Sequence, residues 1–289
     1  MRIVPFLLLS VVAAAQVPRI GIIDFYGLRK VSEERIRKVL GVKEGDPLPA
    51  SKGNTEEHLD RVPGVVESHL EAVCCDEGKM ILYVGIEEKG AVHFDLHETP
   101  EGDVRLSPEI KEAFDHTFDA IQKAVLRGSV ADDLTHGHSL MADPDAREAQ
   151  QGLIPLARDH LRELREVLRN SSDEEHRSAA AYVIGYAPQK AEIVGDLQYA
   201  LRDPDSSVRN HAMRSLLALA VLQQLDPRSG IKVQATWFIE MLNSLAWTDR
   251  NKSSAILQIL TDKRDPLVLD QLRDRALPAL VDMARWKAL

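Results

Sequence analysis

Two histidines, His136 and His138, lie in the polar stretch ADDLTHGHSLMADPDAREAQQG, which concentrates side chains able to bind a metal ion. The aspartates of this stretch are Asp132, Asp133, Asp143 and Asp145. Imidazole and carboxylate groups together suit zinc or manganese, so one candidate function is a metal-dependent hydrolase that uses this region. Histidines two positions apart among flexible acids are also common in polar loops, and we expect these two to be solvated loop residues.

The same stretch contains GHSLM, which resembles half of the Gly-x-Ser-x-Gly turn that holds the nucleophile of many hydrolases. Met141 stands where the second glycine belongs, and the flanking residues predict neither a buried strand before the turn nor a helix directly after it. His93 and His97 lie in HFDLH, whose apolar residues alternate as in a strand. The spacing of residues gives no phosphate-binding loop and no catalytic triad. We therefore expect a protein that is not an enzyme and uses no cofactor.

Charge and composition narrow the classes of protein further. A length of 289 residues suits one elongated array or two compact domains, and a hydrophobic content of 44% is enough for a buried core. The formal net charge of -9 argues against a surface that collects phosphates, so we expect no nucleic-acid partner. Alanine and leucine dominate the second half of the chain, which favours helices there.

The chain opens with MRIVPFLLLSVVAAAQ, which has the composition of a secretory signal. Arg2 precedes an apolar run over residues 3–12, and small residues form an Ala-x-Ala site before Gln16. The run is too short for the about 20 apolar residues that a membrane-spanning helix needs. The sequence predicts a signal peptide over residues 1–15. The mature protein is then periplasmic or otherwise extracytoplasmic, with no integral membrane segment.

The cysteines, Cys74 and Cys75, are adjacent in the sequence. Adjacent cysteines do not easily reach the usual Cα separation of about 5.5 Å across a disulfide. On a strand, one side chain of the pair points inward and the other outward, so we expect a buried thiol beside an exposed one. A disulfide between the two neighbours, with a redox role, is the unusual alternative.

The first third of the chain predicts the element order β-α-α-β-β. A β-rich run over residues 20–25 stops at Gly27, and a helix with Ile36, Val39 and Leu40 on one face ends at Gly41. A second helix fits residues 55–62. Two strand-like runs follow over residues 65–73 and 79–87, and the turn between them is centred on Gly78.

This order, with the motifs FYG, GDPLP, VPGV and LYVGIEEKG in sequence, resembles a POTRA (polypeptide-transport-associated) domain over residues 19–90. We place this α+β domain at residues 19–97. In that family the domain works in the periplasm within assembly, division and secretion machinery, and it receives a client strand at an open sheet edge. The resemblance implies a peptide-binding edge at Ile20, Ile22 and Phe25, or along residues 65–73.

Residues 98–152 predict a helix followed by a polar linker. Ser107 stands at the helix cap, Pro108 at the first helical position, and Gly128 just past the end. The remainder of the segment is polar and irregular. We expect it to connect the α+β domain to the helices beyond residue 152.

The second half of the chain repeats a helical pattern. Its repeat-defining residues recur at an interval of 32 positions: Asp173 and Asp205, Arg177 and Arg209, Ala180 and Ala212. Each pattern predicts two antiparallel helices whose uncovered apolar face is buried by stacking on the next unit. The stretch DPDSSVRNHAMRSLLALA resembles HEAT repeats, with Asp205 and Arg209 at the Asp and Arg positions of that family.

The resemblance implies an all-α solenoid of about three helix pairs over residues 153–289, with Lys252 and Ala255 near the Arg and Ala positions of the last pair. The final helix is apolar up to Trp286, so we expect either a fragment or a face that meets a partner. The whole sequence predicts a non-enzymatic scaffold or adaptor. Its expected partner is an unidentified envelope protein or an extended peptide, in a role accessory to envelope protein assembly or secretion.

Overall fold

The structure, a computed structural model, describes residues 18–76 and 78–287, so the predicted signal at residues 1–15 lies outside it. The N-terminal part contains β1 (Ile20–Tyr26), α1 (Glu33–Leu40), α2 (Lys52–Asp60), β2 (Val65–Asp76) and β3 (Lys79–Glu88). This is the β-α-α-β-β order that the sequence predicts. The central region contains α3 (Pro108–Leu126), the short strands β4 (Asp132–Asp133) and β5 (Leu140–Met141), α4 (Pro144–Asp159) and α5 (Leu161–Asn170). The C-terminal region contains α6 (Glu174–Ile184), α7 (Lys190–Ala200), α8 (Ser206–Leu225), α9 (Thr236–Met241), α10 (Trp247–Leu260) and α11 (Pro266–Met283).

Strand β3 lies in the middle of the N-terminal sheet. It pairs in parallel with β1 and antiparallel with β2. Its residues 81–86 are all buried, because both faces of this central strand are covered, and that explains its unbroken apolar run. Helices α1 and α2 cover one face through Ile36, Leu40 and Leu59, which pack with Ile23 and Val84 of the strands.

The opposite face of the sheet packs against the C-terminal helices. The rings of Tyr83 and Trp247 stack with centroids 4.9 Å apart, and Trp286 lies 5.2 Å from Tyr83. The hydroxyl of Tyr26 donates to the carbonyl oxygen of Leu245 at 2.5 Å. Trp286 belongs to the apolar final segment that was expected to mark a fragment or to meet a partner, and here it is covered by the chain's own N-terminal domain.

This contact requires glycine at position 85 of β3. A Cβ atom there would lie 2.6 Å from the carbonyl oxygen of Leu245 and 2.7 Å from the ring of Tyr26. Any side chain would therefore push the sheet away from the helices. A bidentate ion pair between Arg29 and Asp282, at 2.8 and 2.9 Å, holds the edge of the same contact.

Among the helices of the described residues 144–283, α5 packs on α6 and α7 packs on α8. Helices α6, α8 and α10 pack side by side as one layer, and α9 and α11 contact each other in the second layer. Helix α4 begins at Pro144, nine positions before the predicted start of the array at residue 153. Pro144 occupies the first turn of α4 and Asp143 accepts hydrogen bonds from the backbone N–H groups of Asp145 and Ala146, so this helix begins inside the predicted linker.

The segment before α4 is packed onto the helices and does not hang free between domains. Phe114 and Phe118 of α3 contact the rings of Tyr182 and His211, which belong to α6 and α8. In the β4–β5 hairpin, the Asp132 carboxylate pairs with Arg214, which also donates to Ser139 Oγ at 2.7 Å. Polar side chains of this segment, such as Asp132 and Ser139, therefore take part in tertiary contacts.

Successive repeats share one set of hydrogen bonds. Asp173 and Asp205 cap α6 and α8 in the same way, each accepting from two backbone N–H groups. Arg177 Nη1 donates to the carbonyl oxygen of Ser171 at 2.9 Å, and Arg209 Nη1 donates to that of Asp203 at 2.8 Å. Both carbonyls lie six positions before their arginine, so the 32-residue interval in the sequence is a true structural repeat.

Each of these arginines also forms a buried ion pair with the next repeat. Arg177 pairs with Asp203 at 2.8 Å, and Arg209 pairs with Asp249 at 2.9 Å. Ala212 of α8 is fully buried, as is its equivalent Ala180 of α6. We call Arg177, Arg209 and the arginine of the following repeat the arginine ladder.

The third member of the arginine ladder is Arg250, two positions before Lys252, which was predicted to lie near that position. Arg250 Nε donates at 2.6 Å to the carbonyl oxygen of Ser244, again six positions earlier. The loop between α8 and α9 lengthens the interval from 32 to 41 positions, because Arg250 follows Arg209 by 41. A fixed 32-residue interval therefore misses it.

We predict that Asp203→Ala lowers the free energy of unfolding by about 3–5 kcal/mol, because Arg177 would stay buried without its carboxylate. Urea denaturation followed by circular dichroism measures the change. Glu240→Ala is the matched control: it breaks an ion pair of 2.9 Å to Arg275, which is exposed, and should cost below about 1 kcal/mol. Equal losses in the two variants would contradict a core role for the ladder.

Candidate binding surface

The edge of β1 is partly closed by the chain itself. The N–H of Ile20 donates to the carbonyl oxygen of Asp46 at 2.8 Å, and the N–H of Gly45 donates to that of Ile20 at 2.7 Å. Lys287 Nζ lies 3.4 Å from the carbonyl oxygen of Ile23. The side chain of Ile22 packs beside the tyrosines of the interface, and that of Phe25 packs in the core beneath α1 and α2. Ile20 thus offers no unpaired backbone to another strand.

The outer edge of β2 is more open. The N–H of Leu70 points away from β3, because it donates to Glu56 Oε1 of α2 at 2.7 Å. In an antiparallel pair this direction alternates, so the N–H of Ala72 also points outward. Ala72 is exposed, and none of the described residues pairs with its outward backbone. Glu56 therefore covers the edge at Leu70, and the edge is open at Ala72.

An acidic groove lies beside this edge, on the sheet face turned toward α8 and α10. Glu67 of β2 and Glu87 of β3 are directly opposite in the antiparallel register. They line a cavity of about 520 Å³ together with His69, His93 and Arg209. We call this cavity the acidic groove. Its β2 residues, Glu67 and His69, lie on the same strand as Ala72, five and three positions before it.

The groove changes the protonation of its own residues. Burial raises the pKa of Glu67, and the charges of Glu87 and Asp60 raise it further. His93 Nδ1 lies 2.8 Å from a Glu87 oxygen, and this hydrogen bond raises the pKa of His93. Burial lowers the pKa of His69 to about 4, so this imidazole is neutral at pH 7. The like charges of the two glutamates favour a cation between them.

The His136 region is a structural hairpin. The two imidazole rings lie 6.2 Å apart, and His138 packs against Tyr186. The nearby acids are already paired: Asp132 with Arg214, Asp133 with Thr135, and Asp143 with Arg127. The described residues contain no group of three or more His, Cys, Asp or Glu side chains placed to hold a metal ion. The geometry gives no support to a hydrolase at this site.

Cys74 lies exposed on β2 and is disulfide-bonded. The expectation of a free thiol at this position was wrong. That expectation rested on the usual separation of disulfide-linked Cα atoms, which adjacent residues do not easily reach. The side chain of Cys75 lies outside the described part of the molecule.

Several residues of this surface escaped the sequence prediction. The predicted edge at residues 65–73 already contained Ala72, but the predicted strand ended at Val73, whereas β2 continues to Asp76. Glu56 belongs to a polar helix and gave no sign that it covers Leu70. The alternation of Glu67, His69 and Glu71 with apolar residues was visible, but the element that faces their side of the sheet is about 180 positions away along the chain.

The paired helices define the C-terminal half as an α-solenoid. Residues 161–230, which span α5 to α8, match the family of HEAT repeats. This confirms the HEAT-repeat prediction for that segment, and such repeats are in general non-catalytic scaffolds for protein interaction. Neither the curated proteins nor the solved structures gave a match to the chain. Across the described residues no helix combines the length and the apolar character needed to span a membrane.

We predict that Glu67→Gln raises the free energy of unfolding at pH 7 by about 0.2–1 kcal/mol, because it removes the repulsion from Glu87. The pKa of Glu67 is higher in the folded than in the unfolded state. Ionisation of this carboxyl therefore lowers the free energy of unfolding as the pH rises from its unfolded-state pKa through its folded-state pKa. Urea denaturation should therefore show the gain shrinking as the pH falls from 7 to about 4. Glu57→Gln, beside Arg61, should give no gain at either pH. A pH-independent gain would contradict the assignment.

Proposed function

We propose that the protein is a non-enzymatic scaffold that binds an extended peptide segment of another protein at the outer edge of β2. The observation that carries this proposal is the open backbone of Ala72 beside the acidic groove. An unpaired strand edge offers backbone donors and acceptors to any extended chain, and the side-chain pockets next to it supply specificity.

The N-terminal domain is, on this proposal, a POTRA-like module. Its β-α-α-β-β order and the two helices on one sheet face support the assignment. The face that would be open in an isolated domain of this kind is instead covered by α10 and the segment around Trp286. A client therefore has the β2 edge and not the sheet face available to it.

The negative charge of the acidic groove favours some client peptides over others. The side chains of Glu67, Glu87 and Glu71 lie on the groove side of the sheet, and His69 among them is neutral at pH 7. In a strand every second side chain of the client would point to this side. A client segment with basic residues at alternate positions therefore fits best. The helical array offers a second, extended surface for the folded part of the same partner.

The proposed setting is outside the cytoplasm, in a role accessory to envelope protein assembly or secretion. The support for this is the N-terminal sequence, with Arg2, the apolar run and the Ala-x-Ala site. We predict that the protein recovered from the extracytoplasmic fraction of cells begins at Gln16. N-terminal sequencing and intact mass measure this directly, and a cytoplasmic protein that keeps Arg2 would refute the proposed location.

The edge is tested by a photo-crosslinking residue at Val66, an exposed position on the same strand. We predict that Ala72→Pro lowers the yield of the crosslinked partner by about fivefold or more, the equivalent of one net hydrogen bond. Proline removes the outward N–H but leaves the bonds between β2 and β3, so thermal unfolding should be unchanged.

Ala72→Val is the matched control for this experiment. Valine alters the side chain as much as proline does, but it keeps the backbone donor and favours a strand. Partner capture should therefore survive in Ala72→Val. Equal capture by the proline and valine variants would refute binding at the edge, and equal loss in both would mean that the side chain, not the backbone, is recognised.

A further inference from the structure

The last member of the arginine ladder lacks the carboxylate that its predecessors bind. Arg177 and Arg209 each pair with an aspartate of the following repeat. Arg250 is equally buried, with 4% of its surface exposed, yet it forms no ion pair with any carboxylate of the described chain. A buried guanidinium without a counter-charge is unfavourable, because burial removes its hydration and nothing replaces it.

The groups around Arg250 compensate its charge in part. Its Nε donates to Ser244, and its guanidinium lies over the ring of Tyr26 at 4.4 Å from the centroid. The two nearest acids are committed elsewhere, since Asp249 binds Arg209 and Ser244 Oγ, and Asp282 binds Arg29. Arg250 Nη1 is buried and has no hydrogen-bond partner.

Arg250 also lines a cavity of about 250 Å³ between the two parts of the molecule. The N-terminal domain contributes Gly27, Arg29, Glu87 and Val92 to its wall, and the helical part contributes Asn243 and Pro278. The Glu87 carboxylate is hydrogen-bonded to His93 Nδ1 at 2.8 Å. The wall is mostly apolar with a few polar groups, as small-ligand sites usually are. Its volume suits a short carboxylic acid or one acidic residue of a peptide, and it is too small for a nucleotide.

We propose that this cavity binds a carboxylate, which gives Arg250 the counter-charge that Asp203 and Asp249 give the earlier arginines of the ladder. The carboxylate accepts a charge-assisted hydrogen bond from the unpartnered Nη1. Since both parts of the molecule supply the wall, the bound carboxylate also fastens the N-terminal domain to the helical array. This cavity adjoins the acidic groove, with which it shares Glu87, Asn243 and Leu245, but the proposal does not depend on the proposed function.

The source of the carboxylate is either a free small acid or the end of a peptide. We would titrate the full chain with acetate, succinate and a short apolar peptide bearing a free C-terminus, each at constant ionic strength in sodium chloride. The peptide amide is the control for the peptide acid. Saturable rises in the unfolding temperature with acetate or succinate indicate a free acid. A rise with the peptide acid but not with its amide indicates a peptide end.

Arg250→Met tests the residue itself. We expect the carboxylate to lose at least about tenfold in affinity, the factor expected when one charge-assisted hydrogen bond is removed. Arg275→Met, an exposed arginine outside the cavity, should bind as the wild type does. A shift of the same size in Arg250→Met and wild type would overturn the proposal, as would the absence of a saturable shift with every carboxylate.

Asn243→Asp keeps the test decisive if Arg250→Met does not fold. This nearly isosteric change places a negative charge in the wall of the same cavity, so it should weaken carboxylate binding at least about threefold. Asn210→Asp adds the same charge to α8, outside the residues that line the cavity, and should leave the affinity unchanged. Equal affinities in Asn243→Asp and Asn210→Asp would place the bound carboxylate elsewhere and overturn the assignment.

Discussion

The buried pairing of arginine with aspartate between successive repeats is the constraint on which the helical part depends. Apolar side chains on α6 and α8 would tolerate a small slide of one helix along the next, because dispersion and burial have no direction. The guanidinium of Arg177 reaches two oxygens of Asp203 and one backbone carbonyl, and this planar arrangement fixes one register. The small residues Ala180 and Ala212 then let the helices approach closely enough for the pair to form.

The N-terminal sheet packs on the helical array through aromatic side chains and not through the arginine ladder. Beyond the last repeat, the aromatic rings of Tyr26, Tyr83 and Trp286 replace a further helix pair. The sheet has one face for its own two helices and one for the array. This division leaves strand edges, and not faces, as the exposed backbone of the domain, and the loop around Asp46 closes much of one edge. The proposed peptide-binding edge is thus on β2.

Local patterns were enough to predict the N-terminal element order and the repeating helices. Alternation of apolar residues, turn glycines and capping residues act within a few positions, and the Asp and Arg of the repeat recur at one spacing. The packed role of residues 98–152 was hidden because it depends on distant partners. Gln150, for example, is fully buried and bonds the backbone of Met141 and the hydroxyl of Tyr182. Arg250 was missed because the longer loop between α8 and α9 breaks the 32-residue spacing. The covering of the β1 edge at Ile20 was missed because it depends on the loop around Asp46, which has no strand pattern.

The contact of Tyr26 and Tyr83 with Trp286 also sets an order of events during synthesis. The sheet is made first, and its aromatic face has no cover until Trp247, about 160 residues beyond β3, has left the ribosome; Trp286 follows later still. Contacts between such distant positions form late, because closing the long intervening loop is slow. For that interval the nascent chain exposes an apolar surface of the kind that chaperones bind and that promotes misassembly. The segment around Trp286 thus completes the fold of the N-terminal domain.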